Sequence, residues 1–114
     1  MSITDKFKNL KININLEKLT EIAKNAATIG SEIISSNYNK IQKISSKGRE
    51  GDLVTNVDIE VERQIKDYLI DQTPGITILA EETGKSNKSS EFIWCIDPLD
   101  GTTNYTHGYP FFGT

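Results

Sequence analysis

The sequence predicts an α+β fold, and three observations predict it. Apolar residues recur at helical spacing over residues 16–34 and again over 57–69. Short runs rich in β-branched and aromatic residues follow at 76–80 and 92–96. No internal repeat and no long low-complexity tract interrupts the order. At 114 residues, 36% hydrophobic and 25% charged, the chain has the composition of one ordinary globular domain, with a modest core.

The first helix carries Leu16, Leu19, Ile22, Ala23, Ala26, Ile29, Ile33 and Ile34, mostly in steps of three and four. Asn15 is its N-cap candidate, and Gly30 within the pattern marks close packing or a weak point. Residues 41–55 change character, with Lys43, Lys47 and Arg49 among serines and glycines. They read as a hairpin or mobile loop that closes with a short strand at Asp52-Leu53-Val54-Thr55. The second helix puts Val57, Val61, Ile65 and Leu69 on one face. Thr55 and Asp58 fit a capping box at its start, and Thr73-Pro74-Gly75 stops it. The strand at 76–80 runs into Glu81-Glu82, a polar loop covers 83–90, and the strand at 92–96 runs into Asp97.

Several function classes are not expected. The formal net charge is −3 without a basic block, so nucleic-acid binding lacks its footprint. No apolar run approaches the roughly 20 residues that span a bilayer, so no membrane partner is expected. The start, Met1-Ser2-Ile3-Thr4-Asp5-Lys6, lacks the apolar core of a secretory signal, and the cytoplasm is the expected compartment. The single cysteine, Cys95, reads as a small apolar filler in a strand. His107 reads as an exposed loop residue, and Tyr109 to Thr114 as the entry to a further strand, which suggests a fragment of a longer protein.

The acids at the strand ends carry the chemistry. If the two strands are neighbours, Glu81, Glu82, Asp97 and Asp100 converge, and Asp58 at a helix start can join them. Unit charges about 4 Å apart repel by roughly 4 kcal/mol at an effective dielectric near 20. Either these acids point apart or a cation sits between them. Carboxylates and a backbone carbonyl suit magnesium or manganese, whereas thiolate and clustered histidine ligands are absent. Pro98 takes the chain out of the ladder, which can bring Asp97, Asp100 and the Leu99 carbonyl to one side. Gly101-Thr102-Thr103 then begins a helix or nest whose backbone N–H groups can bind phosphate. Plain readings stand beside this one: Asp-Pro-x-Asp-Gly is also good turn chemistry, Glu81-Glu82 a solvated strand end, and Asp58 a capping residue.

Asp97-Pro98-Leu99-Asp100-Gly101-Thr102-Thr103-Asn104 resembles the signature of the inositol monophosphatase family, and the likeness extends through Tyr105-Thr106-His107-Gly108-Tyr109-Pro110-Phe111. Asp52-Leu53-Val54-Thr55 with Asp58, and then Glu81-Glu82, are similar to the family's two earlier motifs, in order. Ala80 stands where glycine commonly precedes the glutamates, and Leu99 where isoleucine is also common.

The resemblance covers about residues 16–114. It implies a layered α/β sandwich of the inositol monophosphatase and sugar phosphatase type, of which residues 1–114 are the N-terminal part of a single domain. It further implies a magnesium-dependent, lithium-sensitive phosphatase. Glu81, Asp97 and the Leu99 carbonyl would hold one magnesium; Asp97 and Asp100 would hold a second. Thr102, supported by Asp58, would act with Glu81 on the attacking water. Gly101, Thr102 and Thr103 would bind phosphate, with Glu82 and Lys47 in supporting roles. The implied substrate is a small phosphorylated polyol or sugar, inositol monophosphate first. Phosphoadenosine, histidinol phosphate and fructose bisphosphate are the alternatives, as is a non-catalytic metal- or phosphate-binding fragment. A homodimer is implied for the longer family members. Their later half supplies a further metal-binding aspartate in a Trp-Asp motif, so residues 1–114 by themselves are expected to be inactive.

Overall fold

The computed structural model describes residues 15–40, 44–46, 53–85, 92–110 and 112–114. Helix α1, Leu16–Asn37, begins at Asn15, whose side chain accepts from the N–H groups of Glu17 and Lys18 at 2.9 and 3.3 Å. It runs three residues past the predicted end at Ile34. Strands β1, Ile44–Ser46, and β2, Leu53–Thr55, pair antiparallel with Ile44 opposite Thr55, which favours the hairpin over the mobile-loop reading of residues 41–55; the predicted strand residue Asp52 lies outside the described residues. Lys43, Lys47 and Arg49 lie outside the described residues.

Helix α2, Asn56–Gln72, starts on the predicted capping box and ends at Thr73. Strands β3, Thr77–Ala80, and β5, Ile93–Ile96, pair parallel in the register Thr77–Ile93 to Ala80–Ile96. The described part of the predicted polar loop contains the two-residue strand β4, Gly84–Lys85, antiparallel to β3. The sheet order is therefore β4-β3-β5. A short helix α3, Thr102–Thr106, follows the turn after β5. Of the expected strand entry at 109–114, the described residues show a bridge between Gly113 and Asp100, through bonds of 2.8 and 3.0 Å, and Phe111 lies outside them.

The core forms where α1 and α2 pack together over one face of the three-stranded sheet. Ile22, Ala26 and Ile34 meet Val57, Val61, Ile65 and Leu69, and Ile78, Ala80 and Ile96 close the cluster from the sheet. Cys95 is in a strand as predicted, but it is exposed and not a core filler. Alternation explains this: Trp94 and Ile96 turn inward, so Ile93 and Cys95 share the outer face with Leu79.

Aromatic residues tie α3 to the end of α1. The Tyr105 hydroxyl donates to the Ile34 carbonyl at 2.6 Å, satisfying one of the last four carbonyls of α1. The Tyr38 hydroxyl donates in turn to the Gly108 carbonyl. The rings of Tyr38, Tyr105 and Phe112 pack with centroids 4.9 to 5.7 Å apart. Burial, then the charge of Asp58, then Tyr38 push the Tyr105 phenol up from 10.0 to about 12.

Gly30 marks close packing, because a Cβ there would stand 2.9 Å from the Thr114 hydroxyl and 3.2 Å from Ile65 Cδ1. Two predictions follow from these contacts. Gly30→Val should destabilise the full-length protein by about 1–3 kcal/mol in urea unfolding, through overpacking at the α1–α2 contact. The neutral Tyr105 phenol is favoured by folding, so its contribution is complete below pH 10 and is lost as pH rises toward 12. Tyr105→Phe should flatten that alkaline loss in pH-dependent unfolding and cost about 1 kcal/mol at neutral pH.

Candidate active site

The site is assembled from the ends of three elements: the start of α2, the end of β3, and the turn between β5 and α3. At the start of α2, Thr55 adopts an extended backbone and its hydroxyl accepts from Val57 N–H and Asp58 N–H, both at 3.2 Å. Asp58 answers through Oδ2, which accepts from Thr55 N–H at 3.0 Å and from the Thr55 hydroxyl. Both residues are buried. A carboxylate buried this fully is tolerated where dipoles satisfy it, and the first turn of a helix adds the favourable end of its macrodipole.

Only Oδ2 is used by the cap. Oδ1 accepts from the Thr102 hydroxyl at 3.1 Å, across 44 residues of sequence. The same hydroxyl lies 3.0 Å from the Leu99 carbonyl. Carboxylate and carbonyl are both acceptors, so the single Thr102 proton is committed inward. The remaining lone pairs of that oxygen are the ones that can accept from a water.

The turn that presents Thr102 is fixed by Pro98 and Leu99, both buried, and by Gly101. Gly101 is the N-cap of α3 and sits at φ 82°, ψ 37°, a left-handed conformation that glycine adopts without Cβ strain. The sequence pattern Asp-Gly here is therefore turn chemistry and site geometry at once. Tyr105 N–H bonds to the Gly101 carbonyl at 2.9 Å, which sets the amides of Gly101, Thr102 and Thr103 at the opening of the helix.

The parallel pairing of β3 with β5 brings the two acidic strand ends side by side. Glu81 N–H donates to the Ile96 carbonyl at 3.2 Å, so Glu81 and Asp97 leave adjacent strands at the same level. Glu81, Asp97 and Asp100 are exposed and Glu82 is half-buried. Among the described residues, no three His, Cys, Asp or Glu side chains are grouped to hold a metal ion. The backbone juxtaposes the ends that carry these acids, and the donors there are all oxygen, which is the chemistry of a hard divalent cation. Lys47 lies outside the described residues. His107 is exposed, as expected, with Nδ1 2.7 Å from the Thr103 carbonyl.

Sequence reasoning missed Glu62. It is 1% exposed, and its Oε1 accepts from Glu82 N–H at 2.7 Å. A signal was available: Asp58, Glu62, Ile65 and Leu69 fall at steps of four, three and four, which places both acids on a core-facing stripe of α2.

A sequence model of the inositol monophosphatase family matches residues 15–114. A fructose-1,6-bisphosphatase/inositol-1-monophosphatase of Aquifex aeolicus (strain VF5) is 42% identical over 100 residues, covering 86% of this chain and 38% of the relative. The crystal structure of the extragenic suppressor protein suhB from Bartonella henselae aligns with a TM-score of 0.79 at 32% identity, over 83% of this chain and 38% of that one. The structure of an IMPase/NADP phosphatase complexed with Mg2+ and phosphate aligns with a TM-score of 0.63 at 27% identity, over 78% of this chain and 34% of that one. The chain thus spans little more than a third of the length of these proteins. No helix of the described residues is long and apolar enough to cross a membrane. With the α+β fold, the ordered motifs and a match running from Asn15 to Thr114, the chain belongs to the inositol monophosphatase family of phosphatases.

Proposed function

We propose that the protein carrying this chain hydrolyses a small phosphate monoester with magnesium, inositol monophosphate being the first substrate to test. The observation that carries this reading is the Thr102 hydroxyl, held by Asp58 Oδ1 and the Leu99 carbonyl beside the paired strand ends of Glu81 and Asp97. A binding module has no need of a hydroxyl whose proton is held between two acceptors.

Glu81, Asp97 and the Leu99 carbonyl would hold one magnesium, with Asp97 and Asp100 holding a second. When bound, magnesium neutralises phosphoryl charge and makes water acidic enough to attack near neutral pH. The chain's own residues supply direction. Thr102 accepts from the attacking water, because its own proton is engaged by Asp58 or Leu99. Glu81 takes part in activating that water. Asp58 holds Thr102 in place. The amides of Gly101, Thr102 and Thr103 bind phosphate oxygens. The water oxygen bonds to phosphorus, the ester P–O bond breaks, and the alcohol leaves with a proton. Glu82 and Lys47 support the site.

The Aquifex relative carries two activities in its name, so fructose bisphosphate is the second substrate to compare. Phosphoadenosine and histidinol phosphate complete the panel. We place the protein in the cytoplasm as a homodimer that engages neither nucleic acid nor membrane.

Phosphate release by the full-length protein should require magnesium; activity that survives complete chelation overturns the reading, whereas residues 1–114 by themselves should release none. Asp97→Asn should abolish turnover with the circular dichroism spectrum unchanged. Asp58→Ala should lower kcat by about a hundredfold through loss of the Thr102 anchor. It should also lower stability in urea by about 1–2 kcal/mol through loss of the capping box.

A further inference from the structure

We infer that Glu62 is a positioning residue that sets the Glu81-Glu82 strand end, so that one row of α2 aligns both halves of the site. The inference rests on the phosphatase reading for its catalytic consequence, but the tether itself is independent of it.

Asp58, Glu62 and Lys66 stand at intervals of four residues, one turn apart or about 6 Å along the helix. Each reaches a different piece of the site's frame. Asp58 Oδ1 holds the Thr102 hydroxyl after β5. Glu62 Oε1 holds the Glu82 N–H after β3 at 2.7 Å. Lys66 Nζ donates to the Thr83 hydroxyl at 2.8 Å. Arg63, next to Glu62 in sequence, pairs instead with Glu60 at 2.6 Å and Asp67 at 3.4 Å on the exposed side.

Burying a carboxylate costs free energy that an apolar residue on the same stripe would avoid. Glu62 is 1% exposed between Val61 and Ile65, so packing alone does not account for it. Its bond does account for it. Glu81 N–H is held by the Ile96 carbonyl and Glu82 N–H by Glu62, so the peptide groups on both sides of the Glu81 Cα are anchored. The Glu81 carboxylate therefore projects from a fixed origin beside Asp97. In metal sites, partners of this indirect kind shift metal affinity by about 10–100-fold when removed.

The test uses the full-length protein with Glu62→Gln and Glu62→Met. Glutamine keeps an acceptor oxygen at the same reach and loses the charge. Methionine keeps length and packing and loses the acceptor. Two quantities are read: hydrogen exchange at the Glu82 amide without metal or substrate, and the magnesium concentration for half-maximal release of phosphate from inositol monophosphate. Glu62→Gln should stay near wild type in both. Glu62→Met should exchange at least about tenfold faster at Glu82 and need about tenfold more magnesium, with its urea midpoint retained. Should the methionine variant not fold, Glu62→Asp, which shortens the reach, takes its place with the same expectation. Unchanged exchange and magnesium requirement in the loss variant overturn the inference, as does a folded glutamine variant that fails as badly as methionine. If the wild type releases no phosphate, the phosphatase reading falls, and exchange at Glu82 still decides the tether.

Discussion

The buried carboxylate of Asp58 is the constraint on which the rest of this structure depends. One oxygen closes the helix cap with Thr55 and the other holds Thr102. A local feature of helix initiation is thereby joined to a residue 44 positions away. Neither half can shift without leaving a charge, 0% exposed, short of a partner. Such a loss is costly because water cannot replace the missing donor. Asp58 therefore does more than start α2: it joins the helix start to the turn after β5.

Around that junction the fold supplies registration. The parallel pairing of β3 with β5 sets Glu81 level with Asp97. The left-handed Gly101 turns the chain back so that Thr102 faces the helix start. Tyr105 and Tyr38 then lock α3 to the far end of α1 through two carbonyls distant in sequence. The carboxylates of Glu81, Asp97 and Asp100 sit on the exposed side of this frame, and Asp58, Glu62 and Leu99 beneath them are buried. A rigid support beneath accessible carboxylates is suited to groups that must meet an ion and a substrate from solvent.

Much of this was legible in the sequence, for physical reasons that differ by element. The helices announced themselves because apolar spacing, capping box and stop signals all agreed, as at Thr55, Asp58 and Thr73-Pro74-Gly75. The acidic strand ends were legible because Glu81 and Asp97 directly follow apolar runs. The outward face of Cys95 was not, since Trp94, Cys95 and Ile96 are all apolar enough to be core and parity alone does not choose the buried side. Strand β4 was too short, at Gly84–Lys85, to leave a pattern. Glu62 was hidden by its neighbours: Glu60-Val61-Glu62-Arg63 reads as a solvated helix surface unless the helical wheel is drawn through Asp58. For the tether to Glu82, only the three-dimensional partner reveals the role.

Trp94, the single tryptophan of these 114 residues, lies in β5 three positions before Asp97. Its indole N–H donates to the Thr73 hydroxyl at 2.9 Å, at the C-cap of α2. The chain therefore carries a built-in fluorophore at the joint between the strand that leads into the site and the helix that supports it. Its emission colour and quenching should follow the seating of β5 without any label being attached.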